Sequence, residues 1–135
     1  MSIGVGGFAN LELQDEQAMI YSYGGFNLNV PELRNPDHIA DGIITIRRDA
    51  LVEPEIHEKI RRRPSGRKVL ERKIIPVDPD YGPILRSGGI TVENSRYSWN
   101  FWYNNVDSTA ITILDYIFHE YQMSGKIMER VFFYG

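Results

Sequence analysis

A chain of 135 residues with 15 Lys and Arg against 18 Asp and Glu carries a formal net charge of −3 and no cysteine. That length fits one domain, residues 1–135, with a core large enough to fold without staples. The lack of cysteine excludes disulfides and thiolate metal sites, and the acidic balance speaks against a surface coated with positive charge for nucleic acid.

The opening stretch MSIGVGGFANLELQDEQ has no basic n-region and no continuous apolar run. Neither a signal peptide nor a membrane span is expected, and the cytoplasm is the expected compartment. Residues 8–14 and 17–28 read as two strands joined by a polar turn at Asp15 and Glu16. Met19, Tyr21 and Tyr23 alternate onto one face of the second strand. GGFANLEL, residues 6–13, is echoed one residue shorter by GGFNLNV, residues 24–30. Two copies are too few for a repeat architecture, and Gly24-Gly25 is expected to mark a bulge or bend.

Residues 30–42 are rich in Pro, Asn and Asp and read as a loop, and residues 43–47, IITIR, as a short strand. LVEPEIHEKIRRRPSG then carries the signals of a short helix. Pro54 sits in the first turn, glutamates lie near the start, Arg61, Arg62 and Arg63 lie at the end, and Pro64-Ser65-Gly66 stops it. Glu55 with Lys59 and Glu58 with Arg62 are spaced as i,i+4 pairs. Residues 67–77 read as an edge strand, and residues 78–89 as a loop. Residues 90–93 and 96–104 are expected to form a hairpin around Asn94-Ser95.

Asp107 or Ser108 can cap the longest helix, whose apolar face is Ala110, Ile113, Leu114, Ile117, Phe118 and Tyr121, with Gly125 as its C-terminal cap. Residues 127–134 are apolar on both faces apart from Glu129 and Arg130, which predicts a strand inside the sheet. The expected fold class is α+β: a single twisted, mostly antiparallel sheet packed against one long C-terminal helix, with a second short helix.

No motif fixes a chemistry. His57-Glu58 and His119-Glu120 lack the second histidine of a zincin, and the paired glycines lack a phosphate-loop context. The serines lack a nucleophile-elbow context. Asp115 and His119 are an i,i+4 pair on the polar stripe of the long helix, with Thr112 and Gln122. They are weak candidates for acid–base catalysis, because a solvated helix face explains them better. In the segment 95–105, Tyr97, Trp99, Phe101 and Tyr103 share one strand face, expected to be core. Trp102 stands on the other face with Asn100 and Asn104, which makes these three the candidate contacts for a partner.

Residues 58–73 hold eight bases and two acids, a balance of +6 against −9 in the rest of the chain. Arg61, Arg62, Arg63, Arg67 and Lys68 are candidate phosphate ligands. The segment contains no aromatic residue for stacking bases, and a helix dipole would account for the arginines. Nucleic acid is therefore disfavoured. The expected function is that of a non-catalytic protein-binding domain of inhibitor, immunity or adaptor type, without cofactor or metal. Its partner is expected to be another protein, and a homodimer is left open; the first alternative is nucleic-acid or phosphate-ligand binding through residues 58–73, and the second a small enzyme using Asp115 and His119.

Overall fold

The computed structural model describes residues 3–135, the side chain of Tyr103 excepted. Met1 and Ser2, at the head of the opening stretch, lie outside the described residues. In chain order the elements are β1 (Val5–Gln14), β2 (Ala18–Asn27), β3 (Gly42–Arg47), β4 (Glu55–Arg62), β5 (Lys68–Ile75), α1 (Tyr81–Ser87), β6 (Ile90–Glu93), α2 (Ser108–Ser124) and β7 (Arg130–Tyr134). Five strands form one sheet in the order β6-β3-β2-β1-β7, antiparallel at every pairing. β4 and β5 pair only with each other, as a two-stranded ribbon. The molecule is α+β, with the long C-terminal helix on one face of the larger sheet. Among the described residues, no helix is long and apolar enough to cross a membrane.

The core lies between that face and α2. Met19, Tyr21 and Tyr23 of β2, with Ile44 and Ile46 of β3, meet Ala110, Ile113, Leu114, Ile117 and Phe118 of α2, all buried. The alternation on the strand and the helical spacing on α2 each place apolar groups on the side that faces the core. Gly125 ends α2 at φ 74°, the left-handed conformation that a glycine adopts without strain. The tight turn between β1 and β2 forms at Asp15. Its carboxylate accepts from the amides of Gln17 (2.8 Å) and Ala18 (2.9 Å), and these bonds, Ala18's first, hold its pKa below the ordinary value.

The GGF echo acquires a physical meaning in the register of β1 and β2. Gly7 stands opposite Gly25, Gly6 opposite Phe26, and Phe8 opposite Gly24. On one face each phenylalanine ring lies over the other motif's first glycine, whose absent side chain leaves the space. On the other face the Gly7–Gly25 pair lets Thr109, at the start of α2, approach the sheet closely. Gly24-Gly25 is thus regular strand. The irregularity expected there lies instead in β1, between Leu11 and Leu13.

Four expected elements differ. Residues 53–63 are not a helix: β4 occupies Glu55–Arg62 and pairs in register with β5. An i,i+4 spacing is even, so Ile56 and Ile60 share a face on a strand as they would on a helix. The opposing strand decides the matter: Ile56 faces Ile74, Ile60 faces Leu70, Lys59 faces Glu71 and Glu58 faces Arg72. Gly66, at φ 85°, makes the turn. The second short helix is α1, in a stretch that reads as loop, closed by Gly88 at φ 80°. β7 is an edge strand, paired to β1 alone, with Val131 buried and Phe132 exposed. Finally, residues 96–104 form no strand and no hairpin with β6; apart from one isolated bridge between Phe101 and Asp107 and a short 3-10 turn at Tyr103–Asn105 they are loop.

Candidate functional site

Side chains, not a strand ladder, fix the backbone between β6 and α2. Asp107 is 1% exposed. Its carboxylate accepts from the Tyr23 hydroxyl (3.0 Å), the Ser98 hydroxyl (2.8 Å) and the Thr109 amide (3.0 Å), the last being the N-cap bond of α2. The Tyr23 hydroxyl accepts in turn from the Ser95 amide (2.9 Å), and the Ser95 hydroxyl donates to Asp41 (2.6 Å). The Asn94 side chain accepts from the Asp107 amide (3.0 Å) and donates to the Asn105 carbonyl (2.7 Å). A carboxylate buried without a cation is tolerable here because three donors and the positive end of a helix face it. Burial, and then the Asp107 charge, push the pKa of Tyr23 well above its ordinary value, which keeps its proton in place as a donor.

This anchor presents an aromatic loop. Trp99, Phe101 and Trp102 are 43%, 51% and 42% exposed, and Asn100 and Asn104 are exposed beside them. Asn104 and Asn105 adopt φ of 61° and 59°, which asparagine tolerates better than other side chains do. Two backbone bonds close the loop, Trp102 amide to Val106 carbonyl (2.7 Å) and Ser108 amide to Asn100 carbonyl (2.9 Å). The structure therefore gathers Trp102, Asn100 and Asn104 on one exposed segment. It adds Trp99 and Phe101, which the alternating pattern assigns to the core. That pattern fails because Asn94, Ser95 and Ser98 bond to nearby backbone and bend the chain out of extended form. Tyr103, the fourth of the alternating aromatics, has its side chain outside the described residues.

Trp102 meets the Tyr81 ring edge-on, with centroids 6.2 Å apart and planes at 90°. Tyr81 also packs on Phe118, and its hydroxyl donates to Asp115 (2.5 Å). Beyond it lies a groove of about 420 Å³ between residues 76–79 and one side of α2, lined by Asp78, Thr112, Asp115, His119 and Gln122 among others. Gln122 is buried because its amide pairs with both backbone groups of Val77, accepting from the N–H (2.6 Å) and donating to the carbonyl (2.8 Å). The stripe that reads as a solvated helix face is thus partly roofed by residues 76–79. No hydrogen bond joins Asp115 to His119; the Asp115 carboxylate accepts from the Tyr81 hydroxyl instead.

Arg61, Arg62, Arg63, Arg67 and Lys68 do not join this site but lie at the far end of the β4–β5 ribbon. Among the described residues, no group of three or more His, Asp or Glu side chains is placed to hold a metal ion. Asp107, Tyr81, Ser95 and Asp41 are the contributors that sequence reasoning passes over or assigns only a capping or turn role. Only the helix-cap position of Asp107 and the turn position of Ser95 signal any of them.

The exposure values set an expectation for both tryptophans. Trp99→Ala and Trp102→Ala should each cost about 1 kcal/mol, well below the roughly 3–5 kcal/mol of a core tryptophan, with the edge-on Tyr81 contact as the main loss at Trp102. Urea unfolding followed by far-ultraviolet circular dichroism checks this. A loss near the core value at either position would mean that its ring is buried.

Comparisons with models of protein families, with curated proteins and with solved structures find no match to this chain.

Proposed function

We propose that the chain is a non-catalytic protein-binding domain, of inhibitor, immunity or adaptor type, and that its partner docks on the loop carrying Trp99, Phe101 and Trp102. The observation that carries this reading is the combination of exposure and anchorage. Three large apolar side chains face solvent on a backbone held by the buried Asp107 network. An unanchored loop would lose conformational freedom on binding; an anchored one has lost it on folding, which favours affinity. Tryptophan is among the residues that dominate binding energy at protein interfaces. The adjoining groove holds the carboxylates of Asp78 and Asp115, and the chain outside 58–73 has a balance of −9. Such a surface suits a partner that presents a cationic side chain beside an apolar patch.

The test has two steps. A photo-crosslinking amino acid placed at position 101, in the source cells, should give an adduct with one protein species. The same group at Thr91, exposed on β6, should not. With that protein purified, Trp102→Ala and Phe101→Ala should each weaken binding by about tenfold or more while the fold is retained. Absence of an adduct at position 101, or unchanged affinity in both variants, would remove the reading.

A further inference from the structure

The β4–β5 ribbon has no role in the proposed partner site, and its geometry removes the explanation that the sequence offers for its charge. Without a helix at residues 53–63, no helix dipole uses Arg61, Arg62 and Arg63. Every residue of β4 is exposed, and β5 is exposed at five of its eight positions. Arg61 pairs with Glu71 at 2.9 Å, and Arg72 lies 4.0 Å from Glu58. Among the described residues no ion pair engages Arg62, Arg63, Arg67 or Lys68. The last turn, residues 61–68, therefore carries five bases and no acid.

The register places those charges on both faces of the ribbon. Arg62 stands opposite Lys68 on one face. Arg61, and the pair Arg63 and Arg67 joined by a 2.8 Å backbone bond, stand on the other. A flat anionic surface such as a membrane would be met by one face only. A groove walled by phosphates on both sides meets both. The major groove of B-form DNA is wide enough to admit a two-stranded antiparallel ribbon, whereas that of an A-form RNA helix is too deep and narrow for side chains to read. The absence of aromatic residues in 58–73 removes the stacking platform that single strands require. The ribbon's uncompensated cations also lie apart from the acidic groove, which would repel a polyanion.

We infer that the β4–β5 ribbon is a duplex-DNA-binding arm, in which Arg62, Arg63, Arg67 and Lys68 contact phosphates flanking a groove. Binding is independent of sequence, because cations held at a turn touch phosphates and carry no base readout. It is also independent of the aromatic loop, so it stands or falls separately from the protein-partner reading.

Fluorescence anisotropy of a labelled short DNA duplex with the full chain tests it, at about 50 and 200 mM salt. Four neutralised phosphates predict an affinity that falls about 100-fold across that span. The Arg62→Gln, Arg63→Gln, Arg67→Gln, Lys68→Gln variant should lose the binding. All four side chains are exposed, so its thermal transition should match that of the parent. Lys126→Gln with Arg130→Gln, away from the ribbon, should bind as the parent does. Micromolar, salt-sensitive binding abolished only by the ribbon variant supports the arm. No binding at the lower salt, binding that survives in the ribbon variant, tighter binding to a single strand or an RNA duplex, or stronger capture by phosphatidylserine vesicles than by the duplex would each overturn it.

Discussion

Asp107→Ala is expected to lower stability by about 3–5 kcal/mol, a large part of the roughly 5–15 kcal/mol that holds a domain of this size. The carboxylate is buried and accepts from Tyr23, Ser98 and the Thr109 amide. Its removal strands two donors together, the Tyr23 hydroxyl and the Thr109 amide, each costing about 1–3 kcal/mol if it stays dry, whereas the Ser98 hydroxyl keeps the Ser95 carbonyl at 2.5 Å as its acceptor. Water entering the cavity recovers part of that, which keeps the total below the simple sum. The helix cap alone accounts for about 1 kcal/mol. Asp107→Asn keeps one oxygen for the cap but turns an amide toward the hydroxyls, so its cost should be intermediate. The substitution should also free the aromatic loop. At temperatures where the variant is still folded, the near-ultraviolet dichroism of Trp99 and Trp102 should collapse toward zero and partner binding should fall further than stability does. Urea midpoints measure the first effect and dichroism the second. An alanine variant less than about 1 kcal/mol below the parent, with its aromatic signal intact, would show that the loop is held by something else.

What the sequence discloses and what it hides follow from how local each signal is. The β1–β2 pair, β3, β6 and α2 are legible because the face that each turns to the core has one clear apolar period. The ribbon is hidden because Ile56 and Ile60 fit a helix and a strand alike, and because Pro54 and the arginine run imitate helix ends. A non-local signal was present in the chain. Folded about Ser65, the segment matches Ile60 to Leu70, Lys59 to Glu71, Glu58 to Arg72 and Ile56 to Ile74, an antiparallel complementarity that a helix has no use for. The loop 96–104 is misleading in the opposite sense. Its alternation is strand-like, but short polar side chains capture the backbone locally, and only their partners in three dimensions, Asp107 and Tyr23, reveal it. β7 is apolar on both faces although it lies at an edge: Val131 enters the core, while Phe132 and Tyr134 stack toward Phe26 on the second face. Of the site, Trp102, Asn100 and Asn104 were legible as exposed, and the anchor beneath them was not.

Gly24→Ala should cost about 3 kcal/mol, at the upper end of what one added methyl group does in a packed interior. A Cβ at this position overlaps the carbonyl oxygen of Ile39 and lies 2.8 Å from Cζ of Phe8. The Phe8 ring has little room to withdraw, because it is buried and stacked on His38 with centroids 5.1 Å apart. The backbone of Ile39 is held as well. Asn35, itself buried, accepts from the Ile39 amide (2.8 Å) and donates to the Ile39 carbonyl (3.1 Å) and the Gly25 carbonyl (3.0 Å). Relief must therefore come from moving residues 35–41 off the sheet. That movement reaches the anchor of the aromatic loop, since Asp41 receives the Ser95 hydroxyl at 2.6 Å. Gly66→Ala is the control: φ is 85° there and nothing lies within 4 Å of the added carbon, so only the backbone conformation is strained, at about 1 kcal/mol. Thermal unfolding of the two variants should separate them clearly. Amide exchange should show early opening of residues 35–41 and 95–102 in Gly24→Ala alone. Equal losses in the two variants, or exchange unchanged in the 95–102 loop, would mean that the covering segment is not packed on β2 as tightly as the Phe8–Gly24 contact requires.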